Sequence, residues 1–281
     1  MTLETLINTA LQEDIGIGDY STLCCIEPTK KGRAVLKIKQ DCMLAGVEVA
    51  KQIFHQVEPA NTFHQYKNDG DMVLFGEIAF EVEATIHTIL KCERLVLNIM
   101  QRMSGIATLT NVYAEKIRGY KTKLLDTRKT TPNFRLLEKE AVKIGGGINH
   151  RFGLYDMMML KDNHIDYCGG IEKAIATSYN YVQQNNLNIK IEIETRNIDD
   201  VRKVCEFGIG KVDRIMLDNF SPHQIREALS VIHHQFETEA SGGIKIDNIE
   251  SYAATGVDFI SVGGLIHQAQ SVDLSLKAVL S

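Results

Sequence analysis

The sequence predicts an α/β protein in two parts: an α+β layer over residues 1–112, then a reduced or open parallel α/β barrel of about six strands over 113–267. Three observations carry this. The strand-like segments of the first part do not alternate with helices. From about residue 122 onward, short β-rich runs alternate six times with helical stretches, and parallel strands need such crossover connections. Six units are fewer than the eight that a full (β/α)₈ barrel spreads over ~250 residues. A doubly wound sheet is the structural alternative.

In the first part, MTLETLINTALQED reads as an amphipathic helix near 2–13, closed by the turn-rich EDIGIGDYST. It has neither the basic start nor the small-residue cleavage site of a signal peptide. Strands are predicted at 32–38, 62–67 and 77–86, with a helix near 47–57. A long helix follows through ILKCERLVLNIMQRM, with Leu90, Leu97 and Met100 among its apolar positions. In the second part the β-rich runs are 123–127, 156–163, 189–195, 214–219, 234–243 and 259–264. Helices are predicted at about 134–144, 170–184, 197–208, 221–231 and 247–255. Residues 268–281 are read as a C-terminal helix packing back on the first part.

Of the 281 residues, 44% are apolar and 24% charged, the balance of a globular chain with a sizeable core. No apolar run reaches the ~20 residues of a membrane-spanning helix. Six scattered cysteines form no CxxC pair, which points to a reducing, cytoplasmic compartment. A net charge of -5 argues against a nucleic-acid partner. Basic residues converging on one spot of such a chain therefore suggest a small anionic ligand.

Every predicted barrel strand ends in residues with chemical capability: Asp126 with Arg128 and Lys129; Lys161, Asp162 and His164; Glu192 and Glu194; Asp218 and Asn219; Ser241, Gly242 and Gly243; Gly263 and Gly264. In parallel α/β folds the carboxyl ends of the strands form the active face. Any one of these residues alone could be a helix cap or a solvated loop residue; the whole set is harder to explain that way. The glycine pairs suit a phosphate cradle, because backbone N–H groups come close only where no side chain intervenes, and a helix N-terminus after the loop would add a favourable dipole. Gly145–Gly146–Gly147 is read as loop-shaping, and GIGK at 208–211 has the wrong spacing for a Walker loop. His150 and Arg151 join Arg128, Lys129, Lys161 and His164 near the predicted mouth, where guanidinium forks match carboxylates and phosphates. Arg135, Lys139 and Lys143 fall on a predicted helix and are expected to face solvent.

The segments EDIGIGDYST, ERLVLNIMQRMSGIAT, LDTRKTTPNFRLLEKEAVKIGGGINHR, MMLKDNHI, IEIET, IMLDNF, EASGGI and VDFISVGGL resemble, in order and over nearly the whole chain, the quinolinate phosphoribosyltransferases of NAD biosynthesis. The resemblance implies an N-terminal open sandwich before the barrel. It implies transfer of a phosphoribosyl group from 5-phosphoribosyl-1-pyrophosphate to quinolinate with decarboxylation, with Mg²⁺ as cofactor. It also implies a homodimer or larger assembly in which Arg94 enters the partner's site. By the same resemblance Arg128, Lys129, His150, Arg151 and Lys161 are ligands of quinolinate and pyrophosphate, and His164 is a further site residue. Glu194 and Asp218 face the ribose and its Mg²⁺, with Glu192 the alternative to Glu194. Ser241, Gly242, Gly243, Gly263 and Gly264 hold the 5-phosphate. The chain departs from the pattern in a lengthened loop around 208–214 and in LIHQA after Gly264. A related pyrophosphorylase acting on another base, or a non-catalytic sensor of phosphoribosyl metabolites, are the competing readings.

Overall fold

A computed structural model describes residues 1–279. In chain order the elements of the first stretch are α1 (Leu3–Ile15), α2 (Tyr20–Cys25), β1 (Lys31–Ile38), β2 (Cys42–Met43), α3 (Val47–Val57), β3 (Thr62–Gln65), β4 (Met72–Val73), β5 (Ile78–Thr85) and α4 (Ile86–Lys116). They continue with β6 (Lys123–Leu125), α5 (Arg135–Ile144), β7 (Met157–Leu160), α6 (Asp162–Cys168), α7 (Ile171–Gln184), β8 (Lys190–Thr195) and α8 (Ile198–Phe207). The last are β9 (Arg214–Asp218), α9 (Pro222–Ile232), β10 (Glu237–Ser241), α10 (Ile249–Ala253), β11 (Phe259–Ser261), α11 (Gly264–His267) and β12 (Leu274–Val279). Two compact units result. Among the described residues, one comprises 1–111, 130–146 and 265–279; the other comprises 112–129 and 147–264.

The first unit is built on an antiparallel sheet in the order β12-β1-β5-β3. Its core includes Phe63 stacked on Phe80 at 4.5 Å between ring centroids, with Phe54 of α3 edge-on to Phe80 at 6.3 Å. The motif EDIGIGDYST serves local geometry here. Gly16 closes α1 at φ 53°, and the Asp19 carboxylate accepts from Thr22 N–H at 3.1 Å to cap α2. On α4, Val96, Leu97, Met100 and Met103 are buried, whereas Leu90 is exposed: one face of the helix packs and Leu90 falls outside it. The tail departs from the sequence reading more sharply. Residues 274–279 form a strand, not a helix, running antiparallel to β1 from Ile38↔Leu274 to Arg33↔Val279. Leu274 and Leu276 are buried at a spacing of two, and pairing gives the polar backbone of β1's edge its partners.

The second unit carries the parallel sheet in the order β6-β11-β10-β9-β8-β7. These neighbours follow one another cyclically, so among the described residues only the seam between β6 and β7 is unpaired, as in an incomplete barrel. Ile148 lies at that seam, in a parallel bridge to Leu125. Register and the two-residue period decide what points where. Glu192 is level with Arg214 and Glu194 with Met216; Glu237 is level with Arg214, Glu239 with Met216 and Ser241 with Asp218. All these residues share one face of the sheet. The opposite face carries Ile191, Ile193, Ile215, Leu217, Thr238 and Ala240, all buried.

Candidate active site

Three levels can be followed along the polar face. At the amino ends, Arg214 donates to Glu237 at 3.0 Å and lies over the Phe259 ring, 4.1 Å from its centroid. In the middle, the His150 ring Nε2 lies 3.0 Å from Glu192 Oε2 and 3.2 Å from Glu239 Oε2, and Arg214 Nη1 donates to Glu239 at 3.1 Å. At the carboxyl ends stand Glu194, Asp218, Ser241 and the glycine pairs.

The middle level is closed to solvent: the Glu192 and Glu239 side chains are 0% exposed and that of His150 5%. Burial, together with the negative charge of Glu239, pushes Glu192 up to about 7. Burial opposes charge on His150, but the two carboxylates outweigh it and push the imidazole up to about 9. That direction meets a geometric obstacle. Arg151 N–H donates to His150 Nδ1 at 2.7 Å, so Nδ1 must keep its lone pair and the ring proton sits on Nε2. One further proton on Glu192 makes Glu192, Glu239 and Arg214 neutral together, which is the less costly arrangement in a dry interior.

The upper level is where charges meet water. Lys161, the N-cap residue of α6, reaches Glu194 at 3.3 Å. Burial raises the pKa of Asp218, and Lys161 and Lys129 are near enough to pull it partly back. Arg128 and Lys129 are exposed on the loop after β6. Arg151 is half-buried, with Nη1 donating to Met157 O at 3.3 Å. Its pKa is lowered first by burial and then by the positive charge of Arg128. The charge of Arg128 is thus felt at Arg151, which is expected of a pocket completed by an anion.

Other predicted site residues have local duties. Asp126 is 0% exposed and its carboxylate accepts from His150 N–H at 2.7 Å and Asn149 Nδ2 at 2.8 Å, so it pins the loop instead of facing the mouth. His164 Nδ1 accepts from Lys161 N–H at 3.0 Å, capping α6. Glu192 and Glu194 share a face, but Glu192 lies a level deeper, which leaves Glu194 at the mouth. Gly242 adopts φ +94°, and a Cβ there would sit 2.2 Å from Asn219 Oδ1, so the turn after β10 can be built only with glycine. Gly243, also left-handed at φ +63°, meets open space. Because α10 and α11 are so short, any cradle at these loops rests on backbone N–H groups more than on a helix dipole. Arg94 is exposed on α4. Lys139, expected in solvent, is only 2% exposed, on the buried face of α5 that includes Leu137 and Ala141; Lys143 faces solvent as expected.

Sequence reasoning missed Glu239 and Arg214. The signal was present in RIMLD and ETEAS, where Arg214 and Asp218 on one strand and Glu237, Glu239 and Ser241 on the next fall at alternate positions and so on one face.

Residues 19–104 match the family described as quinolinate phosphoribosyl transferase, N-terminal domain, and residues 106–277 match the C-terminal domain of the same family. Among named relatives, quinolinate phosphoribosyltransferase [decarboxylating] 2, mitochondrial, of Nicotiana glauca is 41% identical over 98% of this chain and 82% of its own length. The probable nicotinate-nucleotide pyrophosphorylase [carboxylating] of Bacillus subtilis is 38% identical over 100% of this chain and 95% of its own. Of solved structures, NadC from Streptococcus pyogenes superposes with a TM-score of 0.91 at 36% identity, covering 99% of this chain and 97% of that one. The nicotinate-nucleotide pyrophosphorylase of Francisella tularensis gives 0.89 at 36% identity, over 99% and 96%.

Proposed function

The chain belongs to the quinolinate phosphoribosyltransferase family, and from that premise we infer how its barrel works. It is a phosphoribosyltransferase of NAD biosynthesis: the phosphoribosyl group of 5-phosphoribosyl-1-pyrophosphate passes to quinolinate with decarboxylation, giving nicotinate mononucleotide, pyrophosphate and carbon dioxide. The observation that supports the placement of the acceptor is the half-buried Arg151, whose pKa is lowered by burial and by the positive charge of Arg128. Quinolinate brings two carboxylates to these cations, and charge-assisted forks hold its ring in plane.

At the anomeric carbon, displacement passes through an oxocarbenium-like state, as in glycosyl transfer generally. Glu194 and Asp218, at the carboxyl ends of neighbouring strands, are placed to hold the ribose hydroxyls and favour that positive charge. Lys129 offers a cation for the departing pyrophosphate. Ser241, Gly242, Gly243, Gly263 and Gly264 form the cradle for the 5-phosphate, their backbone donors open to it. The hard oxygens of Glu194 and Asp218 would hold Mg²⁺, which would supply positive charge to neutralise phosphate oxygens. After transfer the ring nitrogen is a pyridinium, whose positive charge stabilises the in-plane carbanion left on the adjacent carbon as carbon dioxide departs; that carbon then takes up a proton from water. No covalent nucleophile is required.

Incubating the purified protein with 5-phosphoribosyl-1-pyrophosphate and either quinolinate or nicotinate tests the acceptor. Nicotinate mononucleotide should form from quinolinate at least ~100-fold faster, since a site built around a charged partner rejects an analogue lacking it. Equal rates would assign the chain to another base. Turnover of any kind rejects the sensor reading.

We place the enzyme in a homodimer, with Arg94 serving the partner's site and His164 lining its own. Exposure of Arg94 supports this. Mixing inactive Arg94→Ala with inactive Lys161→Ala should recover about one quarter of wild-type activity, because each mixed dimer holds one complete site. Continued inactivity after proven subunit exchange would restrict each site to a single chain. The six free cysteines fit a reducing compartment, and we assign the enzyme to the cytoplasm; no helix among the described residues is long and apolar enough to cross a membrane.

A further inference from the structure

We propose that His150 is a positioning residue and does not touch the dicarboxylate: Glu192 and Glu239 hold its ring from inside the barrel, and the ring in turn presents Arg151 to the pocket. The proposal rests on the assignment of Arg151 to quinolinate made above.

The geometry leaves His150 no hydrogen bond for a substrate. An imidazole has two nitrogens. Nδ1 accepts the Arg151 N–H at 2.7 Å, and Nε2 faces Glu192 at 3.0 Å and Glu239 at 3.2 Å. Both carboxylates are closed to solvent, so the ring edge that could donate faces the dry interior of the barrel. Glu239 is itself steadied by Arg214 at 3.1 Å, and Arg214 by Glu237 at 3.0 Å. The loop is pinned at three successive residues: the Asn149 side-chain Nδ2 and the His150 backbone N–H donate to the two Asp126 oxygens, and the Arg151 backbone N–H donates to the ring. Arg151 is then anchored by Met157 O at 3.3 Å and Met159 Sδ at 3.5 Å. A chain of contacts thus runs from Arg214 through Glu239 and His150 to Arg151.

The same three side chains, His150, Glu192 and Glu239, have donor atoms within 4.8 Å of one another and could be taken for a metal site. The far side of the ring argues otherwise. A neutral imidazole bound to metal through Nε2 carries its proton on Nδ1 and donates it outward. Here a backbone N–H already points at Nδ1, and two donors cannot face each other at 2.7 Å. What lies between the ring and the carboxylates is a proton.

Steady-state kinetics of Glu239→Leu and Glu239→Gln, with each substrate varied in turn, test the chain of contacts. Glu239→Leu removes the acceptor and should raise KM for quinolinate ~10-fold or more, with KM for 5-phosphoribosyl-1-pyrophosphate within ~3-fold of wild type. Glu239→Gln keeps an acceptor oxygen and should bring the quinolinate KM back to within ~3-fold. Equal changes in both KM values, or a quinolinate KM that does not move, would overturn the proposal. Should Glu239→Leu fail to fold, nitrogen NMR of histidine-labelled wild-type protein gives an independent answer. The His150 signals should report a protonated Nε2 and an unprotonated Nδ1, unchanged when quinolinate is added. A proton on Nδ1, a shift on adding quinolinate, or a stoichiometric divalent metal lost in His150→Gln would each reject it. The ring state can be read without turnover, so a failure of the quinolinate assignment is told apart from a failure of this one.

Discussion

Arg151→Ala should lose at least ~100-fold in kcat/KM for quinolinate, while the unfolding temperature stays within a few degrees of wild type. Losing a charge-assisted contact costs about 1.5–3 kcal/mol, and more where the partner is left dry. A 100-fold loss corresponds to about 2.7 kcal/mol, inside that range. The fold should tolerate the change because the Arg151 guanidinium makes only long contacts, to Met157 O at 3.3 Å and Met159 Sδ at 3.5 Å. Its loss also relieves the repulsion from Arg128. Arg128→Ala and Lys161→Ala should behave alike, Lys161 giving up its bond to Glu194. Wild-type kcat/KM in Arg151→Ala would remove that residue from the pocket, and a collapse of thermal stability would reassign it to the fold.

The second large effect concerns stability. Arg102 on α4 donates Nε at 3.0 Å and Nη2 at 2.9 Å to Glu138, and it donates to the carbonyls of Ala269 at 2.7 Å and Ile266 at 2.8 Å. Glu138 is 0% exposed and accepts from Thr131 N–H at 2.8 Å. Removing one partner of a buried pair leaves a dry, uncompensated charge, which costs about 3–5 kcal/mol. Arg102→Ala should accordingly lower the unfolding temperature by roughly 10 °C, at 2–4 °C per kcal/mol for a chain of this class. Thermal unfolding of Arg102→Ala beside the double variant Arg102→Ala/Glu138→Leu separates the causes. The double variant should recover part of the loss, because the orphaned carboxylate is gone. If the two unfold alike, the stranded charge is not what destabilises the single variant. Thr131 follows Lys129 by two residues, so the loss of order should also be felt in the loop that carries Lys129, the cation proposed for the pyrophosphate.

Much of the architecture was legible because its signals are local. Alternating βα texture from residue 122, capped helices and glycines at strand ends all act within a few residues of one another. The six parallel strands were found where periodicity placed them, and the glycine at 242 is required by its own φ and the adjacent Asn219. The segment 268–281 was misread because Ala269, Val272 and Leu276 suit a helical period while Val272, Leu274, Leu276 and Ala278 suit an alternating one, and nothing in the sequence shows the partner. Pairing with β1, more than two hundred residues earlier, chose the strand. Lys139 was misplaced for a related reason: helical spacing says which residues share a face, but not how wide the covered face becomes.

The site divides along the same line. By itself the sequence determined which residue types stand at the barrel's strand ends, and hence the family and the chemistry of two anionic substrates. Which of those residues look outward was decided only by tertiary structure. Asp126, Glu192 and His150 are buried and bonded to one another or to the backbone, whereas Lys161 and Asp218 reach solvent and Glu194, though buried, turns to Lys161. The reason is register: strands far apart in the chain must pair before a carboxylate on one can be level with a guanidinium or imidazole on another. That alignment is a property of the closed sheet and is not written in any single segment.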